Sequence, residues 1–141
     1  MEIVIKGGTA TQRKYAESLT EFTCKKLMPR ITNLVISIHI KNFGKDDTLG
    51  YCLPDDYADE QRPREFNIEL NKLSKLRRFL ETLAHELVHA SQFIRGKMNS
   101  DNYLWNGIDY QDCAYVDQPW EIEAYSLEKV LVDVFWKQEV A

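Results

Sequence analysis

The sequence predicts an α+β domain: a short β-sheet with an N-terminal helix, a second helix through the middle of the chain and a C-terminal helix. Three observations predict it. Residues 64–71, REFNIELN, alternate apolar and polar side chains as a half-buried strand does. Residues 33–40, NLVISIHI, are rich in the β-branched side chains that suit a strand. Residues 9–29, 74–96 and 119–138 carry apolar residues at helical spacing between start and stop signals.

The elements follow in the order β-α-β-β-β-α-hairpin-α. EIVIKG, residues 2–7, is a short strand. In the helix over 9–29, Thr9 and Gln12 form a capping box, Ala16, Leu19, Phe22 and Leu27 mark the buried side, and Pro29 stops it. The strand at 33–40 leads into KNFGKDDTLG, a turn-rich loop, and YCLP is a further short strand. Within 64–71, Phe66, Ile68 and Leu70 point to a core, while Glu65, Asn67, Glu69 and Asn71 point to water. The long helix over 74–96 ends near Gly96, and the basic run KLSKLRR at its start reads as solvated first turns rather than a phosphate site. Asn106-Gly107, inside YLWNGIDY, is the turn of a type I′ hairpin that caps the fold. Pro119 suits the first turn of the last helix.

Bulk properties bound the function. A chain of 141 residues, 44% hydrophobic and 28% charged, makes one domain over 1–141 with one core. A net charge of -4 argues against a nucleic-acid-binding surface, which carries basic excess. Cys24, Cys52 and Cys113 are odd in number and lack CxxC spacing, so no disulfide framework is expected. The N-terminus lacks the basic and apolar regions of a signal peptide, and no apolar run approaches the roughly 18 residues of a membrane span. The expectation is a soluble, cytoplasmic monomer without nucleic-acid or membrane partners.

The stretch ETLAHELVHASQF, residues 81–93, carries the chemistry. On a helix, residues i and i+4 lie one above the other, so His85 and His89 present two imidazoles to one point. That suits zinc, with Zn–N distances of about 2.0–2.1 Å. Glu86 lies about 100° round the helix from His85, where it can reach a zinc-bound water and accept its proton. Two solvated histidines could also fall at this spacing. The surrounding Leu80, Leu83, Leu87, Val88 and Phe93 argue otherwise, because polar groups set among them need partners.

Catalytic zinc takes three protein ligands and a water. No histidine follows His89, and His39 lies in an earlier strand, where it reads as a packed or surface residue. The remaining donors are carboxylates in PWEIEAY, Glu121 and Glu123. Ala124 and Glu128 fall within about 60° of Glu121, and a small residue there would let this helix approach the zinc helix. Glu123 shares its side with Leu127, Val130 and Val134, so both remain candidates.

HELVH with the trailing Gln92, the β-rich half before it and PWEIEAY together resemble the zincin metallopeptidases, and within them the small gluzincin and SprT-like proteins. The likeness spans roughly residues 33–135, and the missing downstream histidine departs from the SprT pattern. It implies a zincin fold, with an edge strand that binds an extended substrate by strand addition; the strand at 64–71 is the candidate edge. It implies Glu121 as third ligand, since Glu121-Ile122-Glu123-Ala124 fits the Glu-x-x-small pattern of gluzincins. The acid that orients a histidine four residues on is replaced by Tyr125; Glu128 or Asp117 could stand in. Peptide deformylases use the same motif with an upstream cysteine, which would be Cys52, but their glycine-rich segment is missing and Cys52 reads as a buried strand residue. Tyr110, Tyr115 and Tyr125 are all available to stabilise an oxyanion, and none is singled out. The expectation is one Zn²⁺ per chain held by His85, His89 and Glu121, with Glu86 as general base on a peptide or protein substrate. The competing expectation is a zinc-stabilised binding or structural module without turnover; Glu86 speaks against it, since such a site needs no base and is closed by a fourth protein ligand.

Overall fold

Ile36, Ile38 and Ile40 on one strand and Phe66, Ile68 and Leu70 on its neighbour are each at most 2% exposed. Their alternation decides which face of the sheet the helices cover. The computed structural model describes residues 1–44, 50–54, 64–97, 104–110 and 112–140. Its elements are β1 (Glu2–Gly7), α1 (Ala10–Leu27), β2 (Val35–Lys41), β3 (Gly50–Pro54), β4 (Glu65–Asn71), α2 (Leu76–Ile94), a hairpin of β5 (Leu104–Trp105) and β6 (Ile108–Asp109), a 3₁₀ turn at Tyr115–Asp117 and α3 (Pro119–Val140). This is the order expected from the sequence. Residues 45–49 of the turn-rich loop and Tyr103 of the hairpin stretch lie outside the described residues.

The fold is a mixed α and β domain. Strands run in the order β1-β2-β4-β3, with β1, β2 and β4 parallel and β3 antiparallel to β4. The parallel pairing follows from α1, which carries the chain back between β1 and β2. At the turn into α1, Gly7 has φ +80°, and a Cβ there would sit 2.1 Å from the Ile40 carbonyl oxygen, so only glycine fits. The capping box forms as expected: Thr9 Oγ1 accepts from the Gln12 amide and Gln12 Oε1 accepts from the Thr9 amide. Gln12 Nε2 also donates to the Lys72 carbonyl, tying α1 to the turn after β4.

One expectation is corrected. Residues 64–71 are not an edge: β4 is paired on both sides, by β2 and by β3, and the edge strands are β3 and β1. Alternation reports which faces of a strand are wet, and an inner strand of a one-sided sheet alternates as an edge does. Asn71, expected to face water, is buried and accepts from the Leu73 amide.

All residues of α2 from Phe79 to Phe93 are buried, because α2 lies between the sheet, α1 and α3. It ends on Gly96, with φ +73°; Lys97 N–H donates to the Gln92 carbonyl and Gly96 N–H to that of Phe93. The basic run at its start is not merely solvated. Arg77 pairs with Asp133 at 2.6 Å and Arg78 lies 3.9 Å from Glu128, both on α3. Asn106 at φ 50° and Gly107 at φ 82° make the expected hairpin turn. Cys24, Cys52 and Cys113 are free thiols. Among the described residues no helix is long and apolar enough to cross a membrane.

Candidate metal centre

The spacing on α2 stacks His85 over His89, with their Nε2 atoms 3.2 Å apart. α3 crosses this face of α2 with Ala124, fully buried, at the approach. A larger side chain there would hold the helices apart. Glu121, three residues earlier, reaches the same point: Oε1 lies 2.5 Å from His89 Nε2 and Oε2 lies 3.4 Å from His85 Nε2. One ligand atom from each of the three residues falls within 4.8 Å of the others, the sole such group found among the described residues. All three are at most 9% exposed.

Glu123, the other candidate, is outside this group. It accepts from Gln92 Nε2 at 3.3 Å and faces Lys97 Nζ at 3.5 Å. Its side of α3 is not a buried one, since Val130 and Val134 are 56% and 39% exposed. His39 is exposed on the sheet's other face. Cys52 borders the cavity but is not part of the ligand group.

The outer nitrogen of His89 is hydrogen-bonded, and that of His85 faces a carboxylate at longer range. His89 Nδ1–H donates to Gln92 Oε1 at 2.8 Å, and Gln92 Nε2 donates to the Trp120 carbonyl at 2.9 Å. This fixes the His89 ring and turns Nε2 inward. Gln92 stands three residues from His89, so helical spacing alone could have revealed this role. His85 Nδ1 faces Glu128 Oε2 at 3.9 Å, and Tyr125 packs its ring edge-on against His85 at 4.6 Å. Glu128 thus lies where an orienting acid was sought, whereas Asp117 is exposed on the 3₁₀ turn.

Electrostatics follow from burial and proximity. Burial opposes the charge on Glu121, yet hydrogen bonds from His85 and His89 outweigh it and hold this carboxyl well below the usual range. Burial raises Glu86, and His89 and His85 offset only part of that. Burial opposes the charge on His89, but the bond to Glu121 and the nearby Glu86 leave its pKa raised. Glu128 is raised by burial, partly offset by His85 and Arg78.

The group opens into a cavity of about 280 Å³, bordered by Gly50 and Cys52 of the edge strand, Glu86, Phe93, Tyr115 and Trp120. Trp120 packs against Trp105 and Tyr110, so the hairpin braces one wall. The 3₁₀ turn brings in Tyr115, whose hydroxyl donates to Glu121 Oε2 at 2.5 Å and meets that of Tyr125 at 3.3 Å. No local pattern in this irregular segment announced that contact.

The donor set suits a zinc ion. Two imidazole nitrogens and a carboxylate oxygen are a known catalytic set, and the two nitrogens, 3.2 Å apart, are close to the spacing that bonds of about 2.0–2.1 Å require, while the 2.5 Å hydrogen bond between His89 and Glu121 would open to admit the ion. Comparison of the chain with protein-family models, with curated proteins and with solved structures finds no match.

Proposed function

We propose that the protein is a zinc-dependent metallopeptidase of zincin-like architecture, a cytoplasmic monomer acting on a peptide or protein substrate. The observation that carries this reading is the convergence of His85, His89 and Glu121 beside Glu86, at the floor of an open cavity. A bound zinc ion would supply Lewis acidity, lowering the pKa of water to about 7. His85 and His89, through Nε2, and Glu121, through its carboxylate, would hold it. Glu86 follows His85 directly and lines the cavity without joining the ligand group. Its role is to accept the proton of the attacking water and pass it to the leaving amine. Its burial raises its pKa and strengthens it as a base. Phe93, Trp120 and Cys52 supply apolar wall to the cavity. Gly50 and Cys52 of the edge strand border the cavity, which supports a peptide substrate: an extended chain added to β3 would run past the ligands.

Purified protein is expected to hold about one zinc per chain, as the one ligand group among the described residues requires. His85→Ala with His89→Ala should abolish it, measured by metal analysis after dialysis. Glu86→Gln should keep the zinc while turnover on a proteome-derived peptide library falls by about 10²–10⁴. Unchanged zinc in the double variant sinks the metal assignment. Equal cleavage by wild type and Glu86→Gln sinks the hydrolytic mechanism. Zinc binding without cleavage of any library peptide favours a binding module.

A further inference from the structure

The two oxygens of Glu121 have different neighbours. Oε1 lies against His89 Nε2, while Oε2, 3.4 Å from His85 Nε2, also accepts the Tyr115 hydroxyl at 2.5 Å. A carboxylate can give a metal one oxygen or two. With two imidazoles already present, a two-oxygen grip would fill four places from the protein, as in a closed structural site. A one-oxygen grip leaves a place for solvent or substrate. A hydroxyl donated to one oxygen ties up part of its electron density and fixes the carboxylate plane, both of which oppose the two-oxygen grip.

Tyr115 is itself held for this role. It begins the 3₁₀ turn directly before α3, where Gln118 N–H donates to the Tyr115 carbonyl and Glu121 N–H donates to the Gln118 carbonyl. Its hydroxyl also meets that of Tyr125, whose ring packs on His85. The two tyrosines thus link Glu121 to His85.

We propose that Tyr115 is a positioning residue that holds Glu121 as a one-oxygen ligand and so keeps one coordination place open. The inference rests on the zinc reading given above. Its test uses full-length protein stripped with a chelator and reloaded with Co²⁺, whose visible spectrum reports coordination. Acetohydroxamate is titrated as a probe of the open place. Tyr115 is 55% exposed, so Tyr115→Phe should fold with an unchanged metal-free thermal midpoint. It should retain cobalt but bind the probe about 10–100-fold more weakly than wild type, with an altered metal spectrum before the probe is added. Val116→Ala, on the same turn and 76% exposed, should bind the probe like wild type. Equal probe binding by wild type and Tyr115→Phe overturns the inference alone, as does an equal loss in both variants, which would mark general loosening of this wall. A wild type that takes up neither cobalt nor zinc overturns the zinc reading and this inference together.

Discussion

Two hollows of nearly equal size, about 300 and 280 Å³, lie on opposite faces of the sheet, and each contains histidine and glutamate. On the open face, His39 of β2 stands in register with Lys6 of β1 and Glu69 of β4. On the covered face, His85 and His89 of α2 meet Glu121 of α3. The residue types are almost the same and the chemistry is not. Side chains on neighbouring strands stand side by side, about 4.8 Å apart, and point outward together. Side chains on two packed helices point at each other. Glu69 is moreover paired with Lys41 at 2.9 Å, in reach of water. The pair Glu121–His89 is enclosed, with both residues below 10% exposed. A ligand group needs convergence and exclusion of water, and only the helix pair supplies both.

The largest effect that can break this comparison lies in α3. Glu121→Ala removes one of three converging donors, and zinc affinity measured by chelator competition should fall by more than the roughly 100-fold that loss of an outer partner can cost. Glu123→Ala touches only Gln92 and Lys97 and should stay within the 10–100-fold range of such partners. The reverse ranking would transfer the ligand role to Glu123.

That choice also marks how far the sequence could be read. The order of elements, the capping box at Thr9, the hairpin turn at Asn106-Gly107 and the stacking of His85 on His89 all rest on local spacing, and all were legible. Glu121 was legible in part, because Ala124 announced a close approach to the zinc helix, while spacing alone left Glu121 and Glu123 both open. The inner place of β4 in the sheet was not legible, since its alternation is the same whether one or both of its edges are paired. Neither was the contact of Tyr115 with Glu121, made by a 3₁₀ turn without periodicity. The pairing of Arg78 with Glu128 was hidden too: a basic run on a helix looks solvated until the acids of a second helix arrive.

A smaller effect concerns Glu86 in the metal-free protein. Burial raises its pKa from the ordinary value of 4.5, so the folded state binds this proton more tightly than the unfolded chain. The sign follows. The group contributes stability below the unfolded value, and that contribution is lost as pH rises through the raised folded one. Above the unfolded value the raised pKa therefore costs stability, and Glu86→Gln removes the cost. Metal-free Glu86→Gln should melt higher than metal-free wild type at about pH 7, and the gap should close towards about pH 4, where both side chains are neutral. Equal midpoints at both values would mean that Glu86 is less enclosed than its 6% exposure indicates.

The smallest expected effect tests the other hollow. His39 lies on the solvent side of β2, between Ile38 and Ile40, which point the opposite way into the core. Removing its ring uncovers no core side chain, and the ladder to β1 and β4 is made by backbone that alanine retains. His39→Ala should change stability by no more than about 0.5 kcal/mol, the usual range for a surface substitution. Zinc affinity should stay at the wild-type value, because the sheet and its buried layer of Ile36, Ile38 and Ile40 separate this ring from α2. The comparison between the hollows then stands on geometry alone: a histidine beside a carboxylate on an open sheet, and no metal. A loss of zinc in His39→Ala comparable to that in Glu121→Ala would instead make residue type, not convergence, the deciding factor, and the assignment of the ligands would have to be rebuilt around β2.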